Sequence, residues 1–113
     1  MLRTKNKNKN DDSKIKESVN YINSRFATPW VSVSDAAELS FMSEVYFRKL
    51  FKAEYGISPQ KYIIKLRLEK ASELIKSGDY SLKEVAIMSG YTDYKYFSTE
   101  FKRAFGCSPS EYK

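Results

Sequence analysis

The chain repeats itself. The stretch from Phe47 to Tyr62 returns fifty positions later as Phe97 to Tyr112. Seven pairs are identical: Phe47/Phe97, Phe51/Phe101, Lys52/Lys102, Gly56/Gly106, Ser58/Ser108, Pro59/Pro109 and Tyr62/Tyr112, and Tyr46/Tyr96 adds an eighth. The shared positions read as an apolar helix face, a helix stop and the start of the next helix. The residues between them differ. A scaffold used twice, with its framework kept and its outer face varied, points to recognition rather than to a single catalytic centre.

With 113 residues, the chain is long enough for one domain or two small subdomains sharing a helix. Four Gly and three Pro against sixteen Phe and Tyr favour packed helices over a turn-rich β fold. No apolar run approaches the ~20 residues a bilayer span requires. Met1-Leu2-Arg3-Thr4 leads into a polar tract, so no signal peptide is expected. The lone Cys107 excludes an internal disulfide and fits a reducing, cytoplasmic setting. The net charge of +6 suits a polyanionic partner. Its distribution is uneven: residues 1–27 carry seven basic and three acidic side chains, residues 28–113 thirteen and eleven. Nucleic-acid binding must therefore be argued from where charges lie, not from their sum.

Residues 1–12, with the alternation Lys5-Asn6-Lys7-Asn8-Lys9-Asn10, offer no apolar face and are expected to form a disordered polar leader or linker. Ile15, Val19, Ile22 and Phe26 then fall on one face of a helix over 13–26, which Pro29 ends. Ser32-Val33-Ser34-Asp35 and Ser81-Leu82-Lys83-Glu84 are both capping-box patterns, each opening a short helix. Longer helices are predicted to run from near Ser43 to Gly56 and from Asp93 to Gly106, with glycine as the left-handed stop. Ser58-Pro59 starts a helix of about five turns, ending near Ser77, and Ser108-Pro109 starts a last truncated one. The expected fold is all-α, about seven helices. Residues 13–57 form one helix-turn-helix subdomain, 58–77 a linker helix and 78–113 a second such subdomain. In the second hairpin Gly90 supplies the turn. In the first, Phe41 stands in its place; left-handed Phe is costly, so a different turn geometry is expected there.

Two helix-turn-helix hairpins bridged by one amphipathic helix are far more specific than either alone. From about Ser32 to Lys113 the chain resembles the DNA-binding domain of AraC/XylS-type bacterial transcription regulators. The resemblance is carried by Glu84-Val85-Ala86, Gly90-Tyr91, Asp93, Tyr96-Phe97, Phe101-Lys102, Gly106, Ser108-Pro109 and Tyr112, in order and spacing, with Arg67, Ala71, Leu74 and Ile75 matching the linker helix. It implies sequence-specific duplex DNA binding for transcription regulation, with two recognition helices in successive major-groove segments. It also implies an attached effector-binding or phosphoacceptor domain in the full-length protein, with RNA polymerase as a further candidate partner. The family usually has a base at the position of Thr99, whereas Thr99-Glu100 leaves this patch neutral to acidic.

Helical phase selects the candidate DNA contacts. On the first recognition helix Phe47, Leu50 and Phe51 are expected to face the core, and Glu44, Val45, Arg48, Lys49 and Lys52 to face outward. Arg48 is the best base reader, since its fork can bond guanine O6 and N7 together, and Val45 suits a thymine methyl. Lys49 and Lys52 suit phosphates, or guanine in the case of Lys49. On the second helix Phe97 and Phe101, with Tyr96 beside them, are expected inside, and Tyr94, Lys95, Ser98, Thr99 and Lys102 outside. Ser32 and Ser81 are read as helix caps or phosphate contacts, and Arg67 as a scaffold hydrogen-bond donor.

Catalysis is not expected. The chain has no His and no glycine-rich phosphate loop, and its acids do not pair. No cofactor or metal site is expected either. The alternative to DNA binding is a helical protein-interaction module gripping polymerase or a sensor domain. Arg48, Lys49 and Lys52 on one helix, with Lys95, Lys102 and Arg103 on its copy, favour DNA.

Overall fold

The computed structural model describes residues 9–112, with side chains from residue 14 onward. Six helices are present among the described residues and no strand: α1 (Lys9–Arg25), α2 (Val33–Leu39), α3 (Glu44–Tyr55), α4 (Pro59–Ser77), α5 (Leu82–Met88) and α6 (Tyr94–Phe105). The all-α expectation holds, with one helix fewer. After Ser108 the chain makes only a turn, closed by Glu111 and Tyr112 N–H groups donating to the Ser108 carbonyl at 3.0 and 3.2 Å. The expected polar leader overlaps α1, which starts at Lys9 rather than near Ser13; residues 1–8 lie outside the described residues.

Two compact units share the chain. One comprises the residues up to Arg25 and Val31–Ile63, the other Phe26–Trp30 and the residues from Ile64 on. The division falls inside α4, so the linker helix contributes its first turn to one unit and its remainder to the other.

In the first unit Ile15, Val19 and Ile22 of α1 are buried with Val33, Ala36 and Ala37 of α2 and with Phe47 and Phe51 of α3. Phe51 continues into an aromatic cluster, stacked on Tyr55 at 4.5 Å and edge-on to Tyr62 at 5.2 Å. The Tyr62 hydroxyl donates to Asn23 Oδ1 at 2.8 Å. Ser18, fully buried on α1, donates to the Ala36 carbonyl and also meets the Ser40 hydroxyl. It thereby ties α1 to the middle of α2 and to its C-cap.

The second unit is built on the same plan. Leu68 and Ala71 of α4 pack with Val85 and Ala86 of α5, Tyr91, and Phe97 and Phe101 of α6. Ile64, Leu74, Ile75, Tyr94 and Tyr112 close the edges. Leu68, buried in this core, is not among the α4 residues that carried the family resemblance. Arg67 donates from Nε to the Phe26 carbonyl at 2.7 Å and from Nη2 to the Thr28 carbonyl at 2.8 Å. Its guanidinium also lies 5.4 Å from the centre of the Tyr91 ring. It is a scaffold donor, as its place on the linker helix suggested. Burial lowers its pKa from the usual arginine value, and Tyr91 and Tyr96 oppose that shift.

Candidate nucleic-acid interface

Each unit contains a short helix, a turn and a longer helix. The turns are closer in geometry than the sequence suggested. Phe41 N–H donates to Glu38 O at 3.0 Å and Met42 N–H to Ala37 O at 3.2 Å; Gly90 N–H donates to Ile87 O at 3.1 Å and Tyr91 N–H to Ala86 O at 2.9 Å. Both pairs are the two crossed bonds of a Schellman motif, which requires a left-handed residue after the helix cap. Gly90 takes it with φ 105° and Phe41 with φ 58°. The expectation of a different geometry at Phe41 is therefore corrected: the first turn accepts the left-handed Phe, at roughly 1–2 kcal/mol. The first turn is one residue shorter than the second, and the difference lies after the motif, where Met42 leads directly to the Ser43 cap while Tyr91 is followed by Thr92 and the Asp93 cap.

These caps set where the recognition helices start. Ser43 Oγ accepts from Tyr46 N–H at 3.1 Å and Asp93 Oδ1 from Lys95 N–H at 2.9 Å. Of the two short helices, α5 has the full capping box. Ser81 Oγ accepts from Glu84 N–H at 3.1 Å, and Ser81 N–H donates to Glu84 Oε1 at 2.8 Å. At α2, Ser32 Oγ accepts from Asp35 N–H at 3.0 Å, but Ser32 N–H goes to the Tyr21 hydroxyl at 3.3 Å. The shorter Asp leaves that half of the box to another helix. Both serines are engaged as caps.

On α3, Phe47 and Phe51 are fully buried and Leu50 half-buried, while Val45, Arg48, Lys49 and Lys52 are exposed. Glu44 is half-exposed and holds Arg48: Arg48 Nε donates to Glu44 Oε2 at 3.0 Å, and Nη2 meets the same oxygen. The i, i+4 order of acid before base was the signal for this pair. The pair engages the Nε and Nη2 edge of the fork.

On α6 the outward stripe is Lys95, Thr99 and Lys102, with Arg103 beside it. Ser98 is half-buried. Three further positions differ from the expected phase. Tyr94 is half-buried and packs on Phe97, ring centres 5.8 Å apart, rather than facing outward. Tyr96 is 50% exposed rather than internal, as is its repeat partner Tyr46 at 46%. Glu100 is only 9% exposed and pairs with Arg103 at 2.9 Å, so it adds no acid to the outer face. The repeat held the clue, because Glu100 aligns with the half-buried Leu50.

Behind this face, burial pushes the Tyr91 hydroxyl up to about 12; Arg67 opposes the shift, and Glu100 and Tyr96 add to it. Among the described residues, no group of acids, Cys or His could hold a metal ion, and no helix is long and apolar enough to cross a membrane.

Residues 36–113 match the family model described as a helix-turn-helix domain. The chain belongs to the AraC-type helix-turn-helix family. It is 33% identical over 104 residues to the HTH-type transcriptional activator RhaS of Escherichia fergusonii, covering 90% of this chain and 36% of that protein. The chain thus spans about a third of the length of the curated relatives it matches. Its fold is similar to the C-terminal domain of AraT, a response regulator from Geobacillus stearothermophilus. That likeness has a TM-score of 0.82 at 36% identity, over 88% of this chain and 82% of that one. It is also similar to the DNA-binding domain of the global transcriptional factor AdpA, solved in complex with a target DNA. The TM-score there is 0.80 at 27% identity, over 88% of each chain.

Proposed function

We propose that this domain binds duplex DNA sequence-specifically as the DNA-reading part of a bacterial transcription regulator, with α3 and α6 in successive major-groove segments. The observation that carries this reading is the division of each helix in two. Its Phe pair is buried, while Arg48, Lys49 and Lys52 on α3, and Lys95, Thr99 and Lys102 on α6, are exposed. Lys52 and Lys102 are identical and outward in both copies, which suits phosphate, the one feature every operator shares. Arg48, Lys49, Val45, Lys95 and Thr99 differ between the copies, which suits base reading.

The Glu44–Arg48 pair orients the best base reader before DNA arrives. An exposed i, i+4 pair contributes only about 0.3–0.5 kcal/mol, so a guanine can compete for the fork at little cost. Catalysis, cofactors and metals have no part in this reading, and its setting is the cytoplasm. An effector-binding or receiver domain and a contact with RNA polymerase would belong to the whole protein.

Selection of duplexes from a random library, followed by footprinting, tests the proposal. The expected result is protection of two major-groove segments about one helical turn, ~34 Å, apart, with affinity that falls steeply with salt. Protection of a single segment would remove α6 from the interface. No selection of any duplex, with salt-independent retention of a protein partner instead, would favour the interaction-module reading.

A further inference from the structure

Phe41 is the residue that the fold explains least. Its ring is 97% exposed, so it contributes almost nothing to the core. Its backbone occupies the left-handed region, φ 58°, which an L side chain disfavours. The equivalent Gly90 shows that the turn needs no side chain there. A glycine at position 41 would form the same two Schellman hydrogen bonds without the strain. The aromatic ring is thus costly to the conformation and gains no burial. A large apolar group kept under those terms is explained by something outside the chain.

The position identifies what that is. Phe41 lies two residues before the Ser43 cap of α3, and Val45, 66% exposed, lies two residues after it. Two exposed apolar side chains therefore flank the N-terminal end of the helix that carries Arg48, Lys49 and Lys52. In a helix-turn-helix this end approaches the base edges. The apolar group on a major-groove edge is the thymine C5 methyl, for which aromatic and small aliphatic side chains are the fitting partners. We propose that Phe41 is a specificity-determining residue of the first unit, packing on the 5-methyl group of a thymine at the edge of the segment read by α3. This assignment rests on the DNA-binding reading above and adds a residue to it.

The test removes the two partners separately. Wild-type protein and Phe41→Gly, which keeps the left-handed turn, are titrated against the selected duplex. They are also titrated against copies in which each thymine is replaced in turn by uracil, which lacks only the methyl. One replacement in the first unit's segment is expected to weaken the wild type about three- to tenfold, the size expected for losing one buried methyl contact. Phe41→Gly should lose a similar factor on the thymine duplex and be indifferent to that replacement. A Phe41→Gly protein with wild-type affinity and wild-type methyl sensitivity overturns the assignment. So does a loss equal on thymine and uracil duplexes, a selected site with no thymine in that segment, or a variant that binds DNA normally but loses a protein partner. If the wild type selects no duplex, the DNA-binding reading itself falls; if it selects one and only these results fail, that reading stands without Phe41. Unchanged helical circular dichroism in the variant confirms that the turn has survived.

Discussion

The second helix-turn-helix closes around its turn, whereas the first leaves its turn open. At Gly90 an added Cβ would stand 2.7 Å from the Phe26 carbonyl oxygen and 2.8 Å from Arg67 Nε. At Phe41, in the same hydrogen-bonded turn, a whole benzyl group fits because it stands in solvent. The difference teaches that a left-handed φ does not by itself demand glycine. What demands it at Gly90 is the neighbouring backbone and the guanidinium that holds it. The second unit spends its specificity on internal ties: a complete capping box, the Arg67 fork and a buried Glu100. The first unit carries the denser outward chemistry, with Arg48, Lys49, Lys52, Val45 and Phe41 on or beside α3.

The sharpest way to break this contrast is to exchange the turn residues. Gly90→Ala should destabilise the protein by on the order of 2–3 kcal/mol, since it adds backbone strain and a clash with a carbonyl that cannot easily retreat. Phe41→Gly should instead be neutral or stabilising by about 1 kcal/mol at most. Urea unfolding of both variants checks this. Equal destabilisation at the two positions would mean that the turns are constrained alike.

The next effect concerns binding. Arg48→Ala should weaken the selected duplex about tenfold or more and relax preference at one base pair, as expected for a lost bidentate guanine contact. Thr99→Ala should change affinity far less. Fluorescence-anisotropy titrations against base-pair variants of the site decide it. The first unit is not the stronger reader if Thr99→Ala has the larger effect.

A pH series probes the closed turn. In the unfolded chain Tyr91 ionises around its ordinary value of 10.0, but in the folded protein only near 12. Between those values the unfolded state has lost the proton and the folded state has not, so stability falls as pH rises through that window. Below the lower value Tyr91 contributes no slope. Tyr91→Phe should remove this part of the alkaline loss, which chemical denaturation from pH 9 to 12 on both proteins will show.

The smallest effect is expected from Lys102→Ala. It should weaken all duplexes together by a modest factor and flatten the salt dependence by roughly one unit of slope. Glu100→Gln, by contrast, should leave non-specific affinity nearly unchanged, because Glu100 lies at the core edge against Arg103.

The repeat, the caps and the glycine stops in the sequence were enough to determine an all-helical chain with two helix-turn-helix hairpins around a shared helix. They sufficed because they are local: a Ser before an apolar run or a Gly after one acts through hydrogen bonds within a few residues. The Phe pairs of α3 and α6 were legible for the same reason, since four-residue spacing fixes a face. The residues at the boundary of that face were not. Tyr94, Tyr96 and Glu100 sit where one helical step separates core from solvent, and which way each turns depends on what packs opposite. Tyr94 goes inward because Phe97 and the α4–α5 core accept it, and Glu100 because it inherits the place of Leu50 beside a cation that can pair with it. Only the tertiary structure could decide the turn at Phe41, because the strain of a left-handed Phe is a property of the residue, but whether it is tolerated is a property of the space around it.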